Sequence, residues 1–125
     1  SVTVLKRHVA LIQAERVILV RKMAKGKLMA DLYEFPYLEG EKCTTSQLMQ
    51  WIKRSFGLSV ESMGALTQVS HTFTRYKAIL HPFRFAAKKK TEVADWEWVK
   101  LEDLCLLPFS SGHRRLVEQL KEEIS

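Results

Sequence analysis

Residues 68–85 have the sequence QVSHTFTRYKAILHPFRF, and the two halves of this stretch differ in character. The second half, from Tyr76 to Phe85, places aromatic and aliphatic residues between basic ones, which is typical of a β-strand whose two faces have different surroundings. We predict that this strand runs to about Ala87. The first half surrounds one large apolar ring, Phe73, with hydrogen-bonding side chains and predicts a short polar turn; these side chains are Ser70, His71, Thr72, Thr74 and Arg75.

A polar turn around an aromatic wedge is suited to the recognition of a nucleic-acid base, because a base is both stacked on and hydrogen-bonded. A strand inside a core would rarely gather so many polar groups. An ordinary exposed strand end is the alternative at this point, since short motifs of this kind also occur without a function.

The length and charge of the chain limit the classes of protein to which it can belong. Its 125 residues, 46% hydrophobic and 27% charged, fit a single folded domain over residues 1–125. Lys and Arg number 20 against 14 Asp and Glu, which gives a formal net charge of +6. This excess favours an anionic partner such as nucleic acid, and solubility alone would also account for it.

Two cysteines, Cys43 and Cys105, lack the spacing of a metal site and indicate an intracellular chain with free thiols. Cys105 lies in the apolar run LCLL and is predicted to be a small core residue. Neither a membrane span of ~20 apolar residues nor a signal peptide is expected. We expect a monomer in the cytoplasm of a bacterium, associated with the nucleoid.

Capping residues and apolar periodicity predict two main helices. Thr44 or Thr45 caps the first, which extends to the residue before Gly57. Ser110 or Ser111 caps the second, at the end of the chain. The face of the first helix comprises Leu48, Met49, Ile52 and Phe56, and that of the second comprises Leu116, Val117, Leu120 and Ile124.

Alternating and β-branched segments predict the strands of an α+β domain with a mixed sheet. Trp96 and Trp98 are expected on one face of the last strand as packing groups, with Val99 and Leu101 on the other. The predicted strands are residues 5–13, 17–22, 63–69, 76–87 and 95–99, the first two joined as a hairpin.

The order of these elements is similar to that of the Nudix family, whose magnesium-dependent members carry an acidic helix that ends in a glycine and an aliphatic residue. Gly57 and Leu58 match that end, but residues 44–56 contain no carboxylate, and Arg54 and Ser55 stand where paired glutamates belong. Magnesium needs oxygen ligands, and diphosphate hydrolysis needs the metal. The sequence therefore predicts a Nudix-like (MutT-like) fold whose helix holds no metal site and no catalytic residue.

Three further motifs narrow the resemblance: Phe35-Pro36, HTFT at residues 71–74, and LPFSSGHRRL at residues 107–116. Together they resemble the C-terminal, MutT-like domain of the MutY family of adenine DNA glycosylases. The resemblance implies recognition of 8-oxoguanine opposite adenine in double-stranded DNA, with no cofactor in this domain. It also implies that adenine is excised by a separate N-terminal catalytic domain, which holds an iron–sulfur cluster of the 4Fe–4S type. That domain is absent from this chain and is an expected partner.

The resemblance assigns roles to individual residues. Phe73 and Thr74 match Phe-Ser of the family's H-x-F-S-H motif, and Arg75 replaces its second histidine by a permanent cation. Oxidised guanine carries an N–H at N7 and a carbonyl oxygen at C8. A hydroxyl donates and accepts, so Thr74 is expected to contact that edge while Phe73 wedges against the stack. Ser70, His71 and Thr72 either hold the turn or contact the base.

Basic residues near this motif are candidates for phosphate contacts. Arg75 and Lys77 are the first candidates. The run Lys88, Lys89 and Lys90 is the second, and a solvated loop is the alternative for it.

Two rival functions are compatible with the sequence. One is a divergent Nudix hydrolase of an oxidised nucleotide, with metal ligands drawn from Glu34, Glu39 or Glu41. The other is a protein-interaction module that makes no DNA contact.

Overall fold

The computed structural model describes residues 1–24 and 31–124, which form a mixed sheet between two helices. The helices are α1 (Thr45–Phe56) and α2 (Ser111–Ile124), and a short 3-10 helix spans Leu101–Leu106. The strands are β1 (Thr3–Ala14), β2 (Val17–Lys22), β3 (Tyr33–Glu34), β4 (Tyr37–Glu39), β5 (Val60–Ala65), β6 (Val69–Phe73), β7 (Tyr76–Ala87) and β8 (Glu97–Lys100).

The sheet is built around the parallel pair of long strands β1 and β7. On the other edge of β1, β4 pairs with its first half and β2 with its last residues, both antiparallel. The other edge of β7 carries β6 near its start and β5 near its end. Strands β3 and β8 pair with β2. The predicted α+β class, with a mixed sheet and two main helices, is confirmed.

Successive residues of a strand point to opposite faces, and β1 therefore supplies two cores. Val9 and Leu11 belong to the core that contains Leu116 of α2. Ala10 and Ile12 belong to the other core, which contains Leu48 and Ile52 of α1. Each helix thus covers one face of the sheet with the apolar stripe predicted from its sequence. Among the described residues no helix is long and apolar enough to cross a membrane.

The ends of α1 are fixed by the predicted signals. The Thr44 hydroxyl accepts a hydrogen bond from the Gln47 backbone N–H at 3.0 Å, and the Gln47 side chain accepts one from the Thr44 backbone N–H at 2.9 Å. This reciprocal pair is a capping box. At the other end Gly57 adopts a left-handed backbone, with a φ of 70°, and its N–H bonds the Lys53 carbonyl.

The strand predicted over residues 63–69 is wrong, because two strands share this segment. β5 ends at Ala65 and β6 begins at Val69. Between them, the backbone N–H and carbonyl of Thr67 bond the side chain of Gln119 on α2 rather than a strand. The predicted polar turn is also shorter than expected, because β6 pairs with β7 as far as Phe73 opposite Tyr76. Only Thr74 and Arg75 form the turn.

Other differences lie near the C-terminus. The last strand begins at Glu97, because Asp95 adopts a positive φ of 69° in a turn, yet the tryptophans and Val99 occupy the predicted opposite faces. Cys105 is exposed and not a core residue, since Leu104 is the buried residue of the 3-10 helix. Ile124 is 39% exposed at the end of α2, beyond its buried turns.

We expect Thr44→Ala to lower the free energy of unfolding by about 1 kcal/mol, because it removes the acceptor of the capping box. Urea denaturation of both proteins measures this difference. Thr45→Ala is the matched control, since it removes the same side chain one residue later and leaves both capping hydrogen bonds in place. Equal losses in the two variants would contradict the assignment of the cap to Thr44.

Candidate nucleic-acid interface

The β6–β7 hairpin carries the residues expected to contact a base. Its two-residue turn, Thr74 and Arg75, is exposed. Thr74 has a positive φ of 48°, as does Glu15 (54°) at the first position of the other two-residue hairpin turn. Glycine is the residue that occupies this left-handed conformation without cost, whereas a β-branched side chain is strained there. The tip therefore presents a hydroxyl at a position that is unfavourable for threonine.

The strand geometry separates the predicted contact residues into two groups. His71 and Phe73 are half-buried on the face covered by α2, while Ser70 and Thr72 are exposed and alternate with them. The structure therefore brings Phe73 together with His71 and Thr74. It does not bring Ser70 and Thr72 to the same face of the hairpin.

Tyr76 extends this group and was missed by the sequence reasoning. The rings of His71 and Phe73 stack at a centroid distance of 5.5 Å, and those of Phe73 and Tyr76 stack at 5.6 Å. Tyr76 is 41% exposed. The signal for it was available, because residues that flank a two-residue hairpin turn are cross-strand partners. We call His71, Phe73 and Tyr76 the aromatic row.

Arg7 joins the aromatic row from β1. Its guanidinium carbon lies 4.7 Å from the centre of the Tyr37 ring and 5.9 Å from that of Phe73. Its Nε donates to a carboxylate oxygen of Glu39 at 2.9 Å. A cation over an aromatic ring is a favourable contact and also holds the ring in place. Sequence reasoning could not find this residue, since it is far from Phe73 along the chain.

A cavity of about 140 Å³ lies between the hairpin and the start of α2, and His113 is part of its wall. The ring of His113 is 5% exposed, and its Nδ1 accepts a hydrogen bond from the Phe35 backbone N–H at 3.1 Å. Burial lowers the pKa of His113 to about 4, and the positive charges of Arg7 and His71 act in the same direction. His113 is therefore neutral at pH 7, and Nε2 carries its proton.

The basic residues fall into two separate places. Arg75 lies at the tip, and Lys77 is exposed on β7 opposite Thr72. Lys88, Lys89 and Lys90 are exposed after the far end of β7. From Lys77 to Lys88 an extended strand spans on the order of 35 Å. The two groups cannot contact the same few phosphates beside one base.

The helix α1 (Thr45–Phe56) carries no carboxylate, and the basic residues Lys53 and Arg54 lie in its last turn. The three candidate carboxylates are each paired with a cation: Glu34 with Arg21 at 2.9 Å, Glu39 with Arg7 at 2.9 Å, and Glu41 with Lys6 at 2.5 Å. The hydrogen bond from Lys6 lowers the pKa of Glu41. Within residues 1–24 and 31–124, no group of three His, Cys, Asp or Glu side chains could hold a metal ion.

Aromatic groups occupy the last turn of α1 instead. The ring of Phe56 lies 5.3 Å from that of Trp51 and 5.3 Å from that of Trp96, in both cases edge to face. The Arg21 guanidinium lies 4.5 Å from the centre of the Trp96 ring. All three rings pack against the core that contains Leu48 and Ile52, and packing was the role predicted for Trp96.

A NUDIX domain model matches residues 8–119, which is most of the chain. The chain belongs to the Nudix family. The search of curated protein sequences found no match.

Three solved structures illustrate the shared fold. The E. coli ORF135 protein has a TM-score of 0.76 at 15% identity, over 99% of this chain and 93% of that one. The C-terminal domain of mouse MUTYH, solved in complex with human PCNA, has a TM-score of 0.76 at 18% identity, over 96% and 89%. A MutT protein from Methanosarcina mazei Go1 has a TM-score of 0.74 at 18% identity, over 100% and 98%. The chain therefore shares its fold with a MutT protein and with the C-terminal domain of MUTYH.

We expect His113 to make the protein less stable in mild acid. Its folded pKa is about 4, below the ordinary value of 6.5, so the unfolded chain binds the proton more tightly. The stability contributed by neutral His113 is present above pH 6.5 and is lost as the pH falls towards 4. In His113→Phe, which keeps a ring but does not titrate, the free energy of unfolding should fall less steeply over this window, by up to about 1.4 kcal/mol per pH unit. Urea denaturation between pH 7 and 4 measures both slopes, and parallel curves would contradict this.

Proposed function

We propose that this chain is a recognition domain that reads 8-oxoguanine opposite adenine in duplex DNA, and that it performs no catalysis itself. The observation that carries the proposal is the hairpin tip, where the exposed Thr74, at a positive φ, directly follows the half-buried Phe73 at the end of β6. In this proposal the chain is part of an adenine DNA glycosylase, and a separate N-terminal domain with an iron–sulfur cluster excises the adenine.

The backbone of Thr74 supports a functional role for its side chain. A β-branched residue at a φ of 48° costs stability, of order 1 kcal/mol or more, that glycine or asparagine would not. The positive φ belongs to the two-residue turn itself, as Glu15 shows in the turn between β1 and β2, but glycine or asparagine would meet that need without a branched side chain. Threonine at this position supplies a hydroxyl that can donate and accept hydrogen bonds at the tip, which glycine cannot do because it has no side chain.

The chemistry of the lesion matches the groups at the tip. 8-Oxoguanine differs from guanine at one edge, by an N–H donor at N7 and a carbonyl acceptor at C8. The Thr74 hydroxyl can serve either group, and its backbone N–H adds a second donor. The aromatic row offers Phe73 as a wedge against the base stack and Tyr76 as a second exposed ring. Arg75 and Lys77 supply positive charge for the neighbouring phosphates.

The arrangement of carboxylates supports recognition over hydrolysis. Each of the three glutamates from which a hydrolase could draw its metal ligands is in an ion pair with a different cation. If Glu34 lost its ion pair with Arg21, the buried Glu34 carboxylate would be left without its cation, which costs stability. The similarity to the mouse MUTYH domain adds support from a DNA-repair context.

We expect Thr74→Ala to reduce the lesion preference, defined as the dissociation constant for guanine duplex divided by that for 8-oxoguanine duplex, both with adenine opposite. The loss should be roughly 1 kcal/mol, the value of one hydrogen bond. Thr74→Ser keeps the hydroxyl and should keep the preference. Phe73→Ala should weaken binding to both duplexes by about 1–3 kcal/mol, with less effect on their ratio. NMR titration of the 125-residue chain with each duplex measures these constants even where binding is weak.

Thr91→Ala is the matched control for these variants, since Thr91 is exposed beyond the far end of β7. A wild-type chain that binds both duplexes equally would overturn the proposed function. A preference that survives in Thr74→Ala, with the hairpin still folded, would remove Thr74 from the contact set.

We also expect the chain to release no pyrophosphate from 8-oxo-dGTP in the presence of magnesium, because α1 has no carboxylate and the three candidate ligands, Glu34, Glu39 and Glu41, are each in an ion pair. A coupled pyrophosphate assay provides the measurement. Turnover of about 1 per second, ordinary for an enzyme, would favour the hydrolase over the recognition domain.

A further inference from the structure

The outer edge of β6 is covered by α2 rather than by another strand. β6 pairs with β7 along one edge, and no strand among the described residues pairs with its other edge. Unpaired backbone groups on a strand edge need other partners or water. On α2, Ser111, Arg115 and Gln119 are spaced four residues apart and therefore lie on one side of the helix. We call these three residues the polar stripe.

Each member of the polar stripe contacts β6 or the segment that leads into it. The Ser111 hydroxyl lies 2.7 Å from Nδ1 of His71. Arg115 donates from Nη1 to the Ser70 carbonyl at 2.8 Å. The amide of Gln119 takes the place of a paired strand, because its Oε1 accepts from the Thr67 N–H and its Nε2 donates to the Thr67 carbonyl, both at 2.8 Å.

Gly112 allows the helix to approach this closely. A Cβ atom at this position would lie 3.0 Å from Cδ1 of Leu80 and 3.4 Å from Cβ of His71. The start of α2 is therefore in direct contact with both strands of the hairpin. On the opposite side, the Thr3 N–H of β1 bonds the Arg75 carbonyl at 2.9 Å. The hairpin is thus held from two directions.

We propose that Arg115 is a positioning residue for the hairpin, acting together with Ser111 and Gln119 to set where Phe73 and Thr74 stand relative to the sheet. The inference rests on the proposed function. β7 is held by its pairing with β1 as far as Tyr76, but β6 is an edge strand whose outer side has no strand partner among the described residues. Lesion and normal base differ by a few hydrogen-bonding atoms, so the hydroxyl must be held to within about 0.5 Å. The bond from Arg115 fixes this edge strand four residues before Thr74.

The test compares Arg115→Ala and Gln119→Ala with the control Lys121→Ala in the 125-residue chain. Lys121 is exposed on α2 and lines a groove beside Leu101 and Leu104 instead of contacting β6. Lys121→Ala therefore removes one positive charge, as Arg115→Ala does, but no contact with the hairpin. Arg115→Ala should lower the lesion preference about fivefold, the equivalent of one hydrogen bond. Gln119→Ala, which changes no charge, should lower it less because Thr67 is farther from the tip. Arg115→Lys should restore part of the preference.

Two further measurements separate positioning from other roles. Amide hydrogen exchange should be faster over residues 69–73 in Arg115→Ala while the global free energy of unfolding, from urea denaturation, changes little. The dependence of binding on salt should keep its wild-type slope. An equal loss on both duplexes with a salt slope shallower by about 1 would make Arg115 a direct phosphate contact and overturn the inference.

The remaining outcomes also decide the matter. If the wild type prefers the lesion and both alanine variants keep that preference, the positioning inference is wrong and the proposed function stands. If the wild type has no preference for the lesion, the proposed function fails and the inference falls with it. If Lys121→Ala lowers the lesion preference as much as Arg115→Ala does, the loss is due to net charge and the positioning inference is wrong.

Discussion

The parallel pairing of β1 with β7 is the constraint on which the rest of the structure depends. The two strands stay in register from Thr3 opposite Tyr76 to Gln13 opposite Ala86. Because residues alternate between faces, this single register gives each helix its own core to cover. It also aligns the start of β1 with the start of β7, so Arg7 reaches Phe73 and the Thr3 N–H reaches Arg75. A shift by one residue would place the aromatic row on the opposite face.

The Nudix scaffold is retained here while the chemistry of its acidic helix is not. In α1 the capping box and the terminal glycine are intact, but its last turn carries Lys53 and Arg54, and its neighbours are aromatic. Three carboxylates elsewhere, Glu34, Glu39 and Glu41, are paired with cations of the sheet. In the proposed function, the working surface lies at the β6–β7 tip, where groups for stacking, hydrogen bonding and phosphate contact meet without a metal.

The hairpin has to meet two physical requirements that usually conflict. An exposed tip has few packing contacts, whereas recognition of one altered base edge needs fixed positions. Arg115 and Gln119 of the polar stripe meet both requirements, because they bond the backbone of Ser70 and Thr67 and do not contact the side chains of Thr74 and Arg75. The neutral, buried His113 contributes to the same region, since it joins the start of α2 to Phe35 through the backbone N–H.

The sequence by itself determined the local elements: a cap at Thr44 or Thr45, the stop at Gly57, the long strand that ends at Ala87, the carboxylate-free helix, and a turn that includes Thr74 and Arg75. These signals act over a few residues, so a single chain segment contains all the atoms involved. Only the tertiary structure decided that Ser70 and Thr72 lie on a different face from His71 and Phe73, and that Arg7 contacts Phe73. It also decided that Cys105 is exposed and that α2 lies against the outer edge of β6. Those features depend on which distant strand or helix becomes a neighbour and in which register, and local periodicity carries no information about either.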